Sequence, residues 1–211
     1  MWSGLLLVTL IGCAHTLPKP TVRALSEEYE LSRRQVRRFH KGISVAESAA
    51  GLIGARRLRG GNRTFRYDCS GLVNAAYARA GIDLDGLNTA ALFQRAKKEN
   101  RFHRRKNPRP GDIAFFDNTW DRNGDRRLND RLTHVAIVEK VDDNGTITLI
   151  HNGGKGVKRT YMNLRHKGVN KRDGVLLNSF LRYRRSNDRR RTKYLTGELW
   201  RGFASFWRDE D

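Results

Sequence analysis

Two cysteines and six histidines hold most of the nucleophilic and proton-transfer chemistry available to this chain. Cys69 stands in Tyr67-Asp68-Cys69-Ser70-Gly71-Leu72-Val73, after which Leu72, Val73, Ala76, Tyr77 and Ala80 recur at helical spacing until Gly81. Asp68 suits an N-cap, which puts Cys69 at the first helical position. A thiol attacks as its thiolate. A helix N-terminus stabilises that anion through the dipole and its unpaired N–H groups, and a nearby imidazolium adds to the effect. On position alone, Cys69 reads equally well as a small buried hydrophobe.

The histidines tip the balance. His134 opens His134-Val135-Ala136-Ile137-Val138, a strand pattern that ends at Val141. Asp142-Asp143-Asn144-Gly145 is a hairpin signal, and Thr146 to Ile150 returns. With a four-residue turn, Val141 pairs with Thr146 and His151 falls opposite Ala136. His151 then shares a sheet face with His134, at a diagonal separation of roughly 7–8 Å. A two-residue turn at Asn144-Gly145 keeps the same face, whereas a three-residue loop reverses it. Two imidazoles on one face and a cysteine at a helix start make a nucleophilic site: Cys69 attacks, His134 is base and acid, and His151 orients His134. Asn152 is the alternative third member. The Cys69 N–H is a candidate oxyanion donor. A zinc site from Cys69, His134 and His151 is disfavoured because the spacing matches no zinc signature. His15, His40, His103 and His166 lie in charge-rich contexts and read as surface residues.

These residues need elements to hold them. A charged helix is expected from Ser26 to about His40, and a second from Val45 to about Arg56 with Val45, Ala49, Leu52 and Ile53 on one face. A short helix from Ala90 to about Glu99 would be capped by Thr89, and Ile113 to Phe116 is a strand. Helices first and antiparallel strands after give an α+β architecture. Leu195, Leu199, Trp200, Phe203, Phe206 and Trp207 recur at helical intervals, so the C-terminal end is expected to form an amphipathic helix.

The 211 residues allow one domain with appendages, and no apolar run approaches the roughly 20 residues of a membrane-spanning helix. Residues 4–12 are a short apolar run ending in Leu10-Ile11-Gly12-Cys13. This reads as a secretory signal, and it resembles a bacterial lipobox in which Cys13 is lipidated. The expected organisation is a lipoprotein-type signal peptide at 1–13, a linker and charged helix at 14–44, a hydrolase domain at 45–180, and a basic C-terminal segment at 181–211. The expected location is the bacterial envelope, on the periplasmic or extracellular side, held to the membrane at Cys13. The net charge of +20 favours anionic envelope polymers as partners. It also supports an alternative reading, a polyanion-binding protein that works through its Arg184–Arg191 run. Nucleic acid is disfavoured as the physiological partner of a secreted chain.

Asp68-Cys69-Ser70-Gly71-Leu72-Val73, Arg109-Pro110-Gly111-Asp112-Ile113-Ala114-Phe115-Phe116 and Thr133-His134-Val135-Ala136-Ile137-Val138, in that order, resemble the NlpC-type and CHAP (cysteine, histidine-dependent amidohydrolase/peptidase) superfamily. The likeness runs from about Val45 to His151. It implies a papain-like fold with helices packed on an antiparallel sheet, and hydrolysis of amide or peptide bonds in peptidoglycan. It matches Cys69 and His134 to nucleophile and base and His151 to the third polar residue, and it makes Asp68 and Ser70 substrate-binding candidates. No cofactor is required by such a reaction.

One insertion lies outside that likeness. Asp121, Asn123, Asp125 and Asn129 stand at positions 1, 3, 5 and 9 of an EF-hand-type loop, with the Arg127 carbonyl at position 7. Position 6 is Arg126 rather than glycine and position 12 is Leu132 rather than glutamate, so a structural calcium bound here would be held weakly.

Overall fold

The computed structural model describes residues 40–186 and 188–208. The signal segment, Cys13 and nearly all of the 26–40 helix lie outside the described residues. Helix α1 covers 40–50 and is followed by turns at 51–54, so it starts earlier and stops sooner than the expected 45–56 helix. Val45, Ala49 and Leu52 are buried as their spacing requires, but Gly51 and a left-handed Gly54 break the helical run. A domain boundary at residue 45 would fall inside α1.

Strands β1 (Leu58–Gly60) and β2 (Arg63–Phe65) form a small antiparallel pair that leads into α2 (Cys69–Arg79). The Asp68 carboxylate caps α2 by accepting from the Gly71 N–H at 2.8 Å. Gly71 has a second reason to be glycine: a Cβ there would lie 1.8 Å from the Arg66 carbonyl oxygen. Helix α3 (Thr89–Lys98) is capped by Asn88, which accepts from the Ala91 N–H at 3.0 Å. The cap is thus one residue earlier than the expected Thr89, whose hydroxyl is turned elsewhere.

The main sheet is antiparallel with order β3-β10-β4-β5-β6-β7. It comprises β3 (Phe102–His103), β4 (Ile113–Phe116), β5 (His134–Val141), β6 (Thr146–Gly153), β7 (Gly156–Asn163) and β10 (Trp200–Ala204). A two-stranded pair, β8 (Lys171–Arg172) and β9 (Val175–Leu176), and a single turn of helix, α4 (Thr196–Leu199), precede β10. Alternation along the strands divides the core between two faces. Ile113, Phe115, Val135, Ile137 and Ile150 pack with Val45, Leu52, Leu72, Val73 and Leu92 of the helices. Ala114, Phe116, Ala136, Val138, Ile147 and Leu149 form the other face with Met162, Leu199 and Phe203. Among the described residues no helix is long and apolar enough to cross a membrane.

The C-terminal end departs most from expectation. In place of an amphipathic helix, Trp200–Ala204 inserts between β3 and β4, pairing Ala204 with both Phe102 and Ile113. The sheet therefore does not end at residue 180, and the last thirty residues do not form a separate tail. Gly202 admits this packing, since a Cβ there would meet the Phe102 ring at 2.3 Å. Beyond the strand, Ser205 Oγ and Trp207 Nε1 donate to Asp112 Oδ1 at 2.6 and 2.9 Å. The Arg109 N–H donates to Asp112 Oδ2 at 2.9 Å, and His103 Nε2 lies 3.4 Å from the same oxygen. Asp112 is fully buried. His103 is accordingly not a surface residue; its side chain is 11% exposed and packed into this cluster.

Candidate active site

Hairpin geometry decides where the two histidines meet. The ladder beside the turn pairs Val141 with Ile147 and Lys140 with Thr148, one residue out of step with the expected Val141–Thr146 pairing. The strands enclose the expected four residues, 142–145, but Thr146 has no ladder partner in β5; Asp142 N–H donates to Thr146 O and Gly145 N–H to Asp142 O. Left uncorrected, that one-residue offset would put His151 and His134 on opposite faces. A bulge at Glu139 inserts one extra residue in β5, after which Val138 pairs with Leu149 and Ile137 with Ile150. Continued one step, this register sets His151 opposite Ala136, so the expected neighbourhood is reached by a different route.

The imidazoles are in direct contact. His134 Nε2 and His151 Nδ1 are 2.9 Å apart, with the rings nearly perpendicular. The Phe116 ring flanks His134 with centroids 6.2 Å apart. Asn152 points elsewhere, its Nδ2 3.5 Å from the Asp68 carbonyl oxygen. Among the described residues His151 Nε2 is buried without a partner, and a Cβ at Gly153 would press on the His151 ring at 3.0 Å. Gly153→Ala is therefore expected to displace His151 and to lower activity about tenfold with little loss of stability, read by a rate assay beside thermal melting.

Both rings are held neutral. Burial, with His151 nearby, pushes His134 down to about 3, and burial beside Lys158 pushes His151 down to about 4. Between those values and about 6.5 the unfolded chain binds protons that the folded one does not. Stability then falls as pH drops through this window, by up to about 1.4 kcal/mol per pH unit for each histidine. Melting temperatures between pH 7 and pH 4.5 should show a shallower acid decline in His134→Gln/His151→Gln than in the parent; equal slopes would refute the assignment.

Cys69, at the first residue of α2, packs against the helix-side core. Its sulfur lies 3.9 Å from Thr89 Oγ1, at the first residue of α3. The N–H groups of Val135 and Ser70 lie close enough to the sulfur to favour its thiolate. Val135 directly follows His134, and Asn152 directly follows His151, so the start of α2 touches the chain beside each histidine. Burial pushes the Cys69 thiol up, Asp68 adds to that, and the Val135 N–H, Thr89 hydroxyl and Ser70 N–H oppose it. Desolvation outweighs the helix terminus. Among the described residues the sulfur's side-chain hydrogen-bond partner is Thr89 and not His134. The resting thiol and the imidazole pair are both neutral, in place of the thiolate–imidazolium pair that a helix start with a nearby imidazolium would favour. Thr89 was legible only as a cap, because nothing local reveals that α3 starts against the Cys69 sulfur.

Asp68 and Ser70 adjoin the thiol, but their side chains serve the cap: Ser70 Oγ donates to Asp68 Oδ1 at 2.8 Å. The 121–129 residues do not join this site. Their polar groups fold onto the loop, Asp121 Oδ2 accepting from Arg126 N–H, Asn123 Oδ1 from Asp125 N–H and Asp125 Oδ1 from Arg127 N–H. Asn129 Nδ2 donates to Asp125 Oδ2. Among the described residues no three His, Cys, Asp or Glu side chains are grouped to hold a metal ion.

The described residues form an α+β fold in which Cys69 starts a helix and His134 and His151 are paired in the sheet. Residues 60–153, somewhat under half of the chain, match the family model of the CHAP domain, a family of cysteine amidases and peptidases. That span holds Cys69, His134 and His151 and ends at Gly153, the last residue of β6. No curated protein matches the chain.

Proposed function

We propose that the protein is a papain-like cysteine hydrolase that cleaves amide or peptide bonds of peptidoglycan, with Cys69 as nucleophile, His134 as general base and acid, and His151 as the residue that orients His134. The observation that carries this reading is the 2.9 Å contact between His134 Nε2 and His151 Nδ1, in strands that meet the Cys69 end of α2 at Asn152. The tautomer follows from the role. If His134 Nε2–H donates to His151 Nδ1, then His134 Nδ1 is bare and able to take a proton. With substrate bound, the Cys69 sulfur leaves Thr89, gives its proton to His134 Nδ1 and attacks the amide carbon. Such contacts often tighten only in the Michaelis complex. The oxyanion faces the Cys69 N–H, which has no intrahelical acceptor. The C–N bond breaks as His134 returns the proton to the leaving amine, and water then hydrolyses the thioester with His134 again as base.

Asp68 and Ser70 would line the substrate groove beside the thiol, and lipidation at Cys13 would hold the enzyme on the outer side of a bacterial membrane, close to anionic envelope polymers. A gel containing purified sacculi should show clearing with the parent protein and none with Cys69→Ser; undiminished clearing by that variant would end the proposal. Calcium at the 121–132 loop is a separate matter. With Leu132 where a bidentate acid belongs, binding is expected no tighter than about 1 mM. Calorimetric titration of calcium into the full chain checks this, and micromolar binding would contradict it.

A further inference from the structure

Two loops outside the histidine site face each other: the 117–133 insertion and the 182–194 segment. Arg182, 7% exposed, ties them together. Its Nη1 donates to the Asn118 carbonyl at 2.8 Å, and its Nη2 lies 3.8 Å from Asp188 Oδ1. Asp188 in turn accepts from the Arg185 N–H and the Tyr194 hydroxyl, at 2.8 and 3.0 Å, so this acid folds its own loop. Between the loops lies a cleft of about 400 Å³ walled by Arg126, Arg127, Leu128 and Arg189–Arg191, with no carboxylate among its lining residues. The guanidinium groups of Arg189, Arg190 and Arg191 are exposed and make no hydrogen bond or ion pair among the described residues.

Large apolar side chains are exposed on the same two stretches. Trp120 is 48% exposed, Leu128 38% and Tyr183 67%, and Phe180, just before the second stretch, 62%. Arginine alone fits any polyanion. Arginine beside an exposed leucine, on loops that also expose a tryptophan and a tyrosine, fits a membrane interface, where cations meet headgroup phosphates and amphipathic rings enter the headgroup layer. We propose that this face docks on an anionic lipid surface, with Arg189–Arg191 on the phosphates and Trp120, Leu128 and Tyr183 in the interfacial layer. The contact is peripheral. It would turn the β4–β5 insertion, which leads directly into His134, toward the membrane.

The test is sedimentation of the full chain with vesicles of phosphatidylcholine alone, or with roughly a third phosphatidylglycerol, at about 0.1 M salt. Comparing variants cancels any contribution from the apolar N-terminal segment. Anionic vesicles should bind more tightly than neutral ones, and Arg189→Gln/Arg190→Gln/Arg191→Gln should lose about 100-fold of that affinity. Arg56→Gln/Arg57→Gln/Arg59→Gln removes the same charge from exposed positions elsewhere and should change it less than about threefold. Trp120→Ser/Tyr183→Ser should weaken vesicle binding about tenfold while leaving binding of inorganic polyphosphate unchanged. Equal losses in the two arginine triples would reduce the effect to net charge and overturn the proposal. Parent-like vesicle binding by the aromatic variant, or tighter binding to single-stranded DNA than to anionic vesicles, would overturn it in favour of a soluble polyanion.

Discussion

His134→Gln is expected to slow sacculus clearing by about a thousandfold, within the span that general acid–base groups contribute. Glutamine approximates the volume of the imidazole and can still donate toward His151 Nδ1, so the buried pair is not replaced by a cavity. What it lacks is a nitrogen able to accept a proton and return it. The neutral resting state sharpens the expectation. Burial pushes the Cys69 thiol up rather than down, so little thiolate forms unaided and a base must act during attack. His151→Ala should cost less, roughly a hundredfold, because it removes the group that fixes the His134 tautomer while leaving the base in place. Rates of clearing beside melting curves check both. A His134→Gln protein that keeps more than about a tenth of parent activity would show that the proton goes elsewhere.

The second large effect lies far from the thiol in sequence. Asp112→Ala is expected to lower stability by about 4 kcal/mol, a fall in melting temperature on the order of 10 °C for a chain of this size. The carboxylate is fully buried and accepts from the Arg109 N–H, Ser205 Oγ and Trp207 Nε1. Alanine strands all three donors and frees the segment that follows β10. Asp112→Asn keeps the shape and one acceptor oxygen, so it should lose about half as much. Thermal melting of the two variants decides the matter; a change below about 1 kcal/mol for alanine would mean that the C-terminal segment is held by its apolar packing alone.

These effects also mark what could be read from residues alone. Asp68 as a cap and Cys69 at the helix start were legible because capping is local, set by three or four adjacent positions. The histidine pair was legible in its outcome and not in its route, since a one-residue offset in pairing beside the turn and the Glu139 bulge cancel each other. Strand β10 was not legible. Its partners Phe102 and Ile113 lie about a hundred residues away, and Leu195, Leu199, Trp200, Phe203 and Phe206 imitate a helical stripe when read in isolation. Asp112 stood in a recognisable motif, yet the residues that explain its burial belong to a segment that seemed outside the domain. Thr89 was missed for the same reason: proximity to the thiol is made by two helices converging, which no spacing in the chain encodes.

The most direct test of the central claim is mass spectrometry of the soluble fragments released from purified sacculi by the parent protein and by Cys69→Ala, each checked for unchanged melting. The account predicts new muropeptide fragments with the parent only, their masses naming the amide bond that was cut. Release of the same fragments by Cys69→Ala, or none by a correctly folded parent, would contradict it.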